Sequence, residues 1–228
     1  MKILIILAHP DTKSLNHAIA RAIRDDLLET GHEVLYCDLY QEAFDPLLPV
    51  EEIPASGKVH PEVEAHGHAL SAADGIIIVH PNWWGQPPAI LKGWLDRVFR
   101  PGVAYRFEEG DSGEGVPVGL LKASAAVVIN TSNTPADREL AAFGDPLEVL
   151  WRRCVFDLCG VTNFHRRMFC VVVTSTLDQR LAWMEEAIQL CRKVFEGPAG
   201  RHDRFLDEEA GGPCSGRQGA VSISKESQ

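Results

Sequence analysis

Three short clusters of polar and aromatic residues interrupt the apolar stretches of this sequence, and each has a composition suited to a ligand. The first is His9-Pro10-Asp11-Thr12-Lys13-Ser14-Leu15-Asn16. A hydroxyl, an amide and two cationic side chains stand in a turn that leads into a helical pattern. Free N–H groups and the positive end of a helix dipole meet there, which suits phosphate. Ser14 or Asn16 would serve equally well as a plain helix cap. The second cluster is His80-Pro81-Asn82-Trp83-Trp84-Gly85. Adjacent tryptophans are more than a turn requires. Broad aromatic faces beside a glycine suit a flat heterocycle that the backbone approaches closely. Packing against neighbouring helices or a second subunit is the competing use. The third cluster, Asn130-Thr131-Ser132-Asn133-Thr134-Pro135, closes another apolar run with hydrogen-bonding side chains. Neither G-x-x-x-x-G-K-[ST] nor G-x-G-x-x-G occurs, so glycine-based phosphate signatures do not apply.

These clusters need a frame that brings them to one place. Apolar, β-branched runs predict strands at 2–8, 34–37, 75–80, 125–129 and 169–173. Between them, apolar spacings of three and four predict helices at 16–30, 62–73, 86–99, 144–158 and 177–195. Strand and helix alternate, so the expected fold class is α/β, doubly wound, with a five-stranded parallel sheet and helices on both faces. In such sheets ligands bind beyond the carboxyl ends of the strands, where strand order reverses. All three clusters sit at that end of a predicted strand. Residues 41–61 read as an extended surface excursion and 100–119 as a loop or loose hairpin. The domain is expected over 1–196, followed by a disordered tail over 197–228 that is rich in Gly, Ser and charge.

The bulk numbers narrow the function. The chain has 228 residues, enough for one large domain. A net charge of −10 disfavours general nucleic-acid binding. No apolar run is long enough for a membrane span, and the apolar start reads as a buried strand, not a signal peptide. The six cysteines form no CxxC pair, and with no export signal they point to a reducing, cytoplasmic compartment. His60, His66 and His68 have a spacing open to metal, yet without nearby cysteines they read as solvated surface histidines, and no metal is expected. Cys154 and Cys159 read as packing residues. Asp96 and Arg97 read as an ion pair or subunit contact, and His80 as orienting backbone beside the tryptophan loop.

With these residues in view, the sequence resembles the NAD(P)H:quinone reductase (DT-diaphorase-like) family. The segment from Ala8 to Asn16 resembles that family's first phosphate-binding turn. Pro81 to Phe99, containing Trp83-Trp84-Gly85-Gln86-Pro87-Pro88, resembles its second and longer signature. Val103-Ala104-Tyr105-Arg106-Phe107 resembles the loop after the following helix. The likeness spans about residues 1–195.

The resemblance implies a flavodoxin-like fold, a noncovalent flavin (FMN or FAD) and a homodimer. His9, Ser14, Leu15 and Asn16 would hold flavin phosphates. Pro81, Asn82, Trp83, Trp84 and Gly85 would run along the isoalloxazine. Asn130, Thr131 and Ser132 would stand where the family often has Thr-Thr-Gly-Gly, without the close glycine approach. Tyr105 would be a catalytic, pocket-shaping residue and Phe107 a second wall of the substrate pocket. The implied activity is two-electron hydride transfer from NAD(P)H through the flavin to a quinone or similar small-molecule aromatic acceptor. FAD is slightly favoured, with 41–61 as the groove for its adenosine. Trp94 and Trp151, read as exposed, support the dimer. The alternatives are a flavodoxin-type electron carrier and an ancillary regulatory subunit of an ion-transport system.

Overall fold

The computed structural model describes residues 1–54, 56–108 and 113–196, so the expected tail lies outside the described residues. Its strands are β1 (Lys2–Leu7), β2 (Glu33–Asp38), β3 (Gly75–Pro81), β4 (Tyr105–Arg106), β5 (Val118–Gly119), β6 (Ala125–Ser132) and β7 (Phe164–Cys170). Five of them form one parallel sheet in the order β2-β1-β3-β6-β7. That is the flavodoxin-like order, and it reverses at β1 and β3. The helices are α1 (Leu15–Glu29), α2 (Pro61–Ala72), α3 (Ala89–Val98), α4 (Ala136–Phe143), α5 (Pro146–Glu148) and α6 (Leu177–Phe195). A π-helical stretch, Val149–Asp157, continues α5.

Side chains alternate across the sheet and so build two cores. Leu4, Ile6, Ile76, Ile78, Ala126 and Val128 face the layer containing Leu91, Trp94 and Trp151. Ile3, Ile5, Leu7, Ile77, Val127 and Ile129 face α1 and α6 through Ile19, Ile23, Ala187 and Cys191. With helices on both faces, the central strands are buried throughout, which explains their unbroken apolar runs.

Several boundaries differ from expectation, each for a physical reason. The last sheet strand runs from Phe164 to Cys170, not 169–173. As an edge strand it is half covered and carries His165, Arg166 and Arg167, so its sequence lacks the apolar run that marks a central strand. The fourth predicted strand extends through Asn130 and Thr131 to Ser132, so these three residues belong to β6 and not to a turn. Helix α4 was absent from the sequence reading. The predicted helix over 144–158 begins instead at Pro146, after Gly144 ends α4 at φ 70°. The 100–119 hairpin exists as the antiparallel pair β4–β5.

Trp94 and Trp151, expected to be exposed, are both 0% exposed, so neither supports a dimer surface. Trp94 Nε1 donates to His66 Nδ1 at 3.2 Å. His66 is therefore a buried acceptor and not a surface histidine, while His60 and His68 are exposed. His66 Nε2 lies 3.4 Å from Glu42, and the Cys37 thiol completes a cluster whose ligand atoms fall within 4.8 Å of one another. The tryptophan donor fixes the ring proton on Nε2. That nitrogen then faces Glu42 as an N–H and has no lone pair for a metal. Burial and Glu42 also push the Cys37 thiol up to about 12, so it stays protonated. Of the two other cysteines named above, Cys159 is buried as expected, but Cys154 is exposed.

The 41–61 excursion is pinned to α3. Arg97 Nε and Nη2 donate to the two Glu52 oxygens at 3.0 and 2.7 Å, and Nη1 donates to the Asp45 carbonyl at 2.6 Å. A Cβ at Gly93 would meet the Pro46 carbonyl oxygen at 2.2 Å, so this approach needs glycine. Arg97 thus makes an ion pair, as one reading held, but with Glu52; Asp96 pairs with Lys92.

Candidate active site

The turn after β1 delivers Ser14 as the N-cap of α1, where its side chain accepts the His17 N–H. Leu15 and Asn16 fall in the first turn, so their N–H groups have no intrahelical acceptor and face outward. Asn16 is buried, and its Nδ2 donates to Thr131 Oγ1 at 2.9 Å. His9 takes the Asp11 N–H on Nδ1 at 3.0 Å, and burial lowers its pKa below the usual histidine value. Around these residues lies a cavity of about 430 Å³ lined by His9, Lys13, Ser14, Leu15, Asn16 and Pro81, and further by Asn82, Trp83, Thr131, Ser132, Thr134 and Arg180.

The tryptophan loop is a tight reversal. Trp83 N donates to the Gln86 carbonyl and Gln86 N to the Trp83 carbonyl, each at 3.0 Å. Trp84 (φ 57°) and Gly85 (φ 70°) are both left-handed, which is the geometry of a two-residue type I′ turn. A Cβ on Gly85 would also meet Pro146 Cγ at 2.8 Å. Trp83 faces the first cavity, with its ring 6.1 Å from that of His9. Trp84 is fully exposed, and with Gly85, Gln86, Phe143 and Pro146 it lines a second cavity of about 540 Å³. The two cavities share Asn82 and Thr134. Asn82 Nδ2 donates to the buried Glu139 Oε1 at 3.0 Å, and Asn82 Oδ1 is buried with no hydrogen-bond partner among the described residues.

Side-chain partners separate the third cluster. Thr131 and its neighbour Ser132 reach the first cavity, whereas Asn130 points into the opposite core. There Asn130 Nδ2 and Trp151 Nε1 both donate to His80 Nε2, at 2.8 and 2.9 Å, while His80 Nδ1 donates to the Pro81 carbonyl at 2.9 Å. Arg166 Nε donates to Asn130 Oδ1 at 2.6 Å and Arg166 Nη1 to Asp145 at 2.7 Å. Complete burial lowers His80 to about 3, so the ring is neutral and its tautomer is set by two donors on Nε2. His80 thus braces the backbone at Pro81, where the loop leaves the sheet, and Asn130 acts behind the site, outside the cavity.

Of the residues expected at the site, His9, Ser14, Leu15, Asn16, Pro81, Asn82, Trp83, Thr131 and Ser132 converge on one cavity. Trp84 and Gly85 line the adjoining one. Tyr105 and Phe107 line neither. Their rings pack edge to face at 5.7 Å on the β4–β5 hairpin, and that hairpin rests against Cys159 and Gly160. Within this chain both residues pack the hairpin. Sequence reading missed Arg180, whose Nε donates to Ser175 Oγ at 2.8 Å and Nη2 to the Val172 carbonyl at 3.2 Å, holding the guanidinium at the cavity. Its one signal was its place in the first turn of the predicted 177–195 helix. Glu139 was missed because α4 was not foreseen.

A doubly wound parallel sheet with a polar cavity at its switch point defines a flavodoxin-like protein. The chain belongs to the Flavodoxin_2 family of flavodoxin-like fold, whose model matches residues 1–192. It is 35% identical over 196 residues to an uncharacterized NAD(P)H oxidoreductase of Haemophilus influenzae, covering 83% of this chain and 93% of that one. It is 37% identical over 123 residues to NAD(P)H dehydrogenase [quinone] 1 of Rattus norvegicus, covering 46% of this chain and 45% of that one. Among solved structures it is similar to the NAD(P)H:quinone oxidoreductase from Methanothermobacter marburgensis. There the TM-score is 0.73 at 26% identity, covering 85% of this chain and 96% of that one.

Proposed function

We propose that this protein is a flavin-dependent NAD(P)H oxidoreductase that passes two electrons to a quinone or a similar aromatic acceptor. The observation that carries this reading is the pair of cavities meeting at Asn82. One is polar and begins at a helix N-terminus; the other is walled by Trp84, Phe143 and Pro146. Quinone reductases and NAD(P)H oxidoreductases among its relatives support the same reading.

The residues present fit a phosphate-bearing flavin. The Leu15 and Asn16 N–H groups, the Ser14 hydroxyl, Lys13 and Arg180 offer donors for phosphate. Asn82 Oδ1 lacks a donor, and a flavin ring carries an N–H to supply one. Bound there, a flavin would supply the hydride-transfer chemistry between NAD(P)H and the acceptor. The chain's part is positioning. Gly85 keeps a side chain out of the second cavity's wall beside Pro146, His80 holds Pro81, and Trp83 closes the wall beside His9. Glu139 stands at the floor of the second cavity, within hydrogen-bond reach of Asn82.

FMN is the flavin this reading favours. The described residues of 41–61, the expected adenosine groove, contribute none of the cavity's lining and are held on α3 instead. A homodimer belongs to the same proposal. A wall-lined acceptor cavity argues against a bare electron carrier. Turnover of NADH or NADPH with a soluble quinone and no partner protein tests the function, and chromatography of the flavin released from the purified protein tests its identity. Absence of both turnover and bound flavin after reconstitution would overturn it.

A further inference from the structure

Ser14 is joined to a buried relay that phosphate binding by itself does not require. Its Oγ lies 3.0 Å from His17 Nδ1, and His17 Nε2 lies 2.8 Å from Asp38 Oδ2. His17 and Asp38 are both buried, at 1% and 4% exposure. Ser14 Oγ also accepts the His17 backbone N–H at 3.3 Å.

A hydroxyl has one proton to give and two lone pairs to receive with. Facing a carboxylate, a neutral His17 carries its proton on Nε2, so Nδ1 is bare. The Ser14 proton must then point inward to Nδ1, and the oxygen turns a lone pair toward the cavity. That orientation repels an anion. If His17 is protonated on both nitrogens, Nδ1–H donates to Ser14 Oγ instead. The hydroxyl then receives two donors from within, and its own proton is free to reach the cavity. Asp38 balances the added charge, and its other oxygen already accepts the Gln41 N–H at 3.3 Å.

We propose that His17 is a proton-linked positioning residue: it takes a proton from solvent as a phosphate-bearing flavin binds, and so turns the Ser14 hydroxyl toward the ligand. This inference rests on the flavin reading above. The titratable groups that face His17 are Asp38 at the end of β2, which bonds its Nε2, and His9 on the turn after β1, which acts on it electrostatically; Tyr36 in turn feels Asp38. The His9 ring stands 6.3 Å from that of His17, edge to face, so His9 is the group that must be separated from it.

The direct test is nitrogen NMR of the histidine rings in the full chain, at about pH 8, above the ordinary histidine range. Without ligand, His17 Nδ1 should be unprotonated. With saturating FMN both ring nitrogens should carry protons, and with riboflavin, which lacks phosphate, Nδ1 should stay bare. FMN affinity should fall as pH rises, by up to about tenfold per unit for one linked proton. His17→Gln should weaken FMN by roughly 10–100-fold, flatten that profile and leave riboflavin affinity within about threefold, as expected for loss of one charge-assisted hydrogen bond. His9→Gln should keep the slope. A ring already doubly protonated without ligand, an Nδ1 that stays bare with FMN bound, or a slope that follows His9 overturns the inference. If neither flavin binds, the flavin reading falls and this inference with it; if FMN binds without protonating His17, this inference alone falls.

Discussion

Asn16 and Thr131, 115 residues apart in sequence, are hydrogen-bonded at the base of the candidate active site, Nδ2 to Oγ1 at 2.9 Å. The bond ties the start of α1 to the end of β6, so the turn after β1 and the wall of the cavity are joined. Thr131→Val keeps the shape and removes the partner, leaving a buried amide unsatisfied. The expected cost is about 1–3 kcal/mol of stability, read by urea unfolding, together with weaker flavin binding. An unchanged midpoint and unchanged flavin affinity would show that the bond is incidental.

The tryptophan loop separates two effects. Gly85→Glu places a Cβ at φ 70° against Pro146 and a charge in the second cavity, so flavin should be lost while the far-ultraviolet circular dichroism stays native. Trp84→Glu alters a fully exposed side chain, so stability should change by less than about 0.5 kcal/mol. Its effect should appear as a raised KM for the acceptor with flavin retained. A Gly85→Glu protein with a normal visible spectrum would move the flavin ring elsewhere.

His80 makes stability depend on pH in a stated direction. Burial lowers it from 6.5 to about 3, so the unfolded chain binds its proton first as pH falls. The contribution is full above about pH 6.5 and is lost as pH drops toward 3, by up to roughly 1.4 kcal/mol per pH unit. Unfolding free energy measured across that window should fall more steeply for the wild type than for His80→Gln. Parallel curves would contradict the assignment.

The Arg97–Glu52 pair is structural. Glu52→Gln leaves a buried guanidinium short of its counter-charge and should cost about 3–5 kcal/mol. The pair lines neither cavity, so the protein that does fold should keep wild-type flavin affinity. Loss of flavin affinity with stability intact would show that the excursion reaches the site after all.

The central strands and the three polar clusters were legible because a parallel sheet buried on both faces writes itself as apolar runs, and its polar ends stand out. Ser14, Asn16 and Trp83 could be placed on that basis. Edge strand β7 was displaced in the reading because Arg166 and Arg167 break the pattern. Asn130 lies outside the cavity because its amide is taken up by His80 and Arg166 in the opposite core. His66, Trp94 and Trp151 were read as surface groups. Their burial depends on side-chain to side-chain hydrogen bonds across long sequence separations, which composition does not encode. Arg180 and Glu139 came from elements whose position relative to the sheet was not visible in one dimension.

The most direct test of the account is an anaerobic titration of the purified, flavin-reconstituted protein with NADH and NADPH, followed by visible absorption, and then addition of a soluble quinone. The flavin bands should bleach on addition of the nicotinamide and return when quinone is added, with no other protein present. A protein that cannot be reconstituted with FMN or FAD, or one whose bound flavin neither nicotinamide reduces, would contradict it.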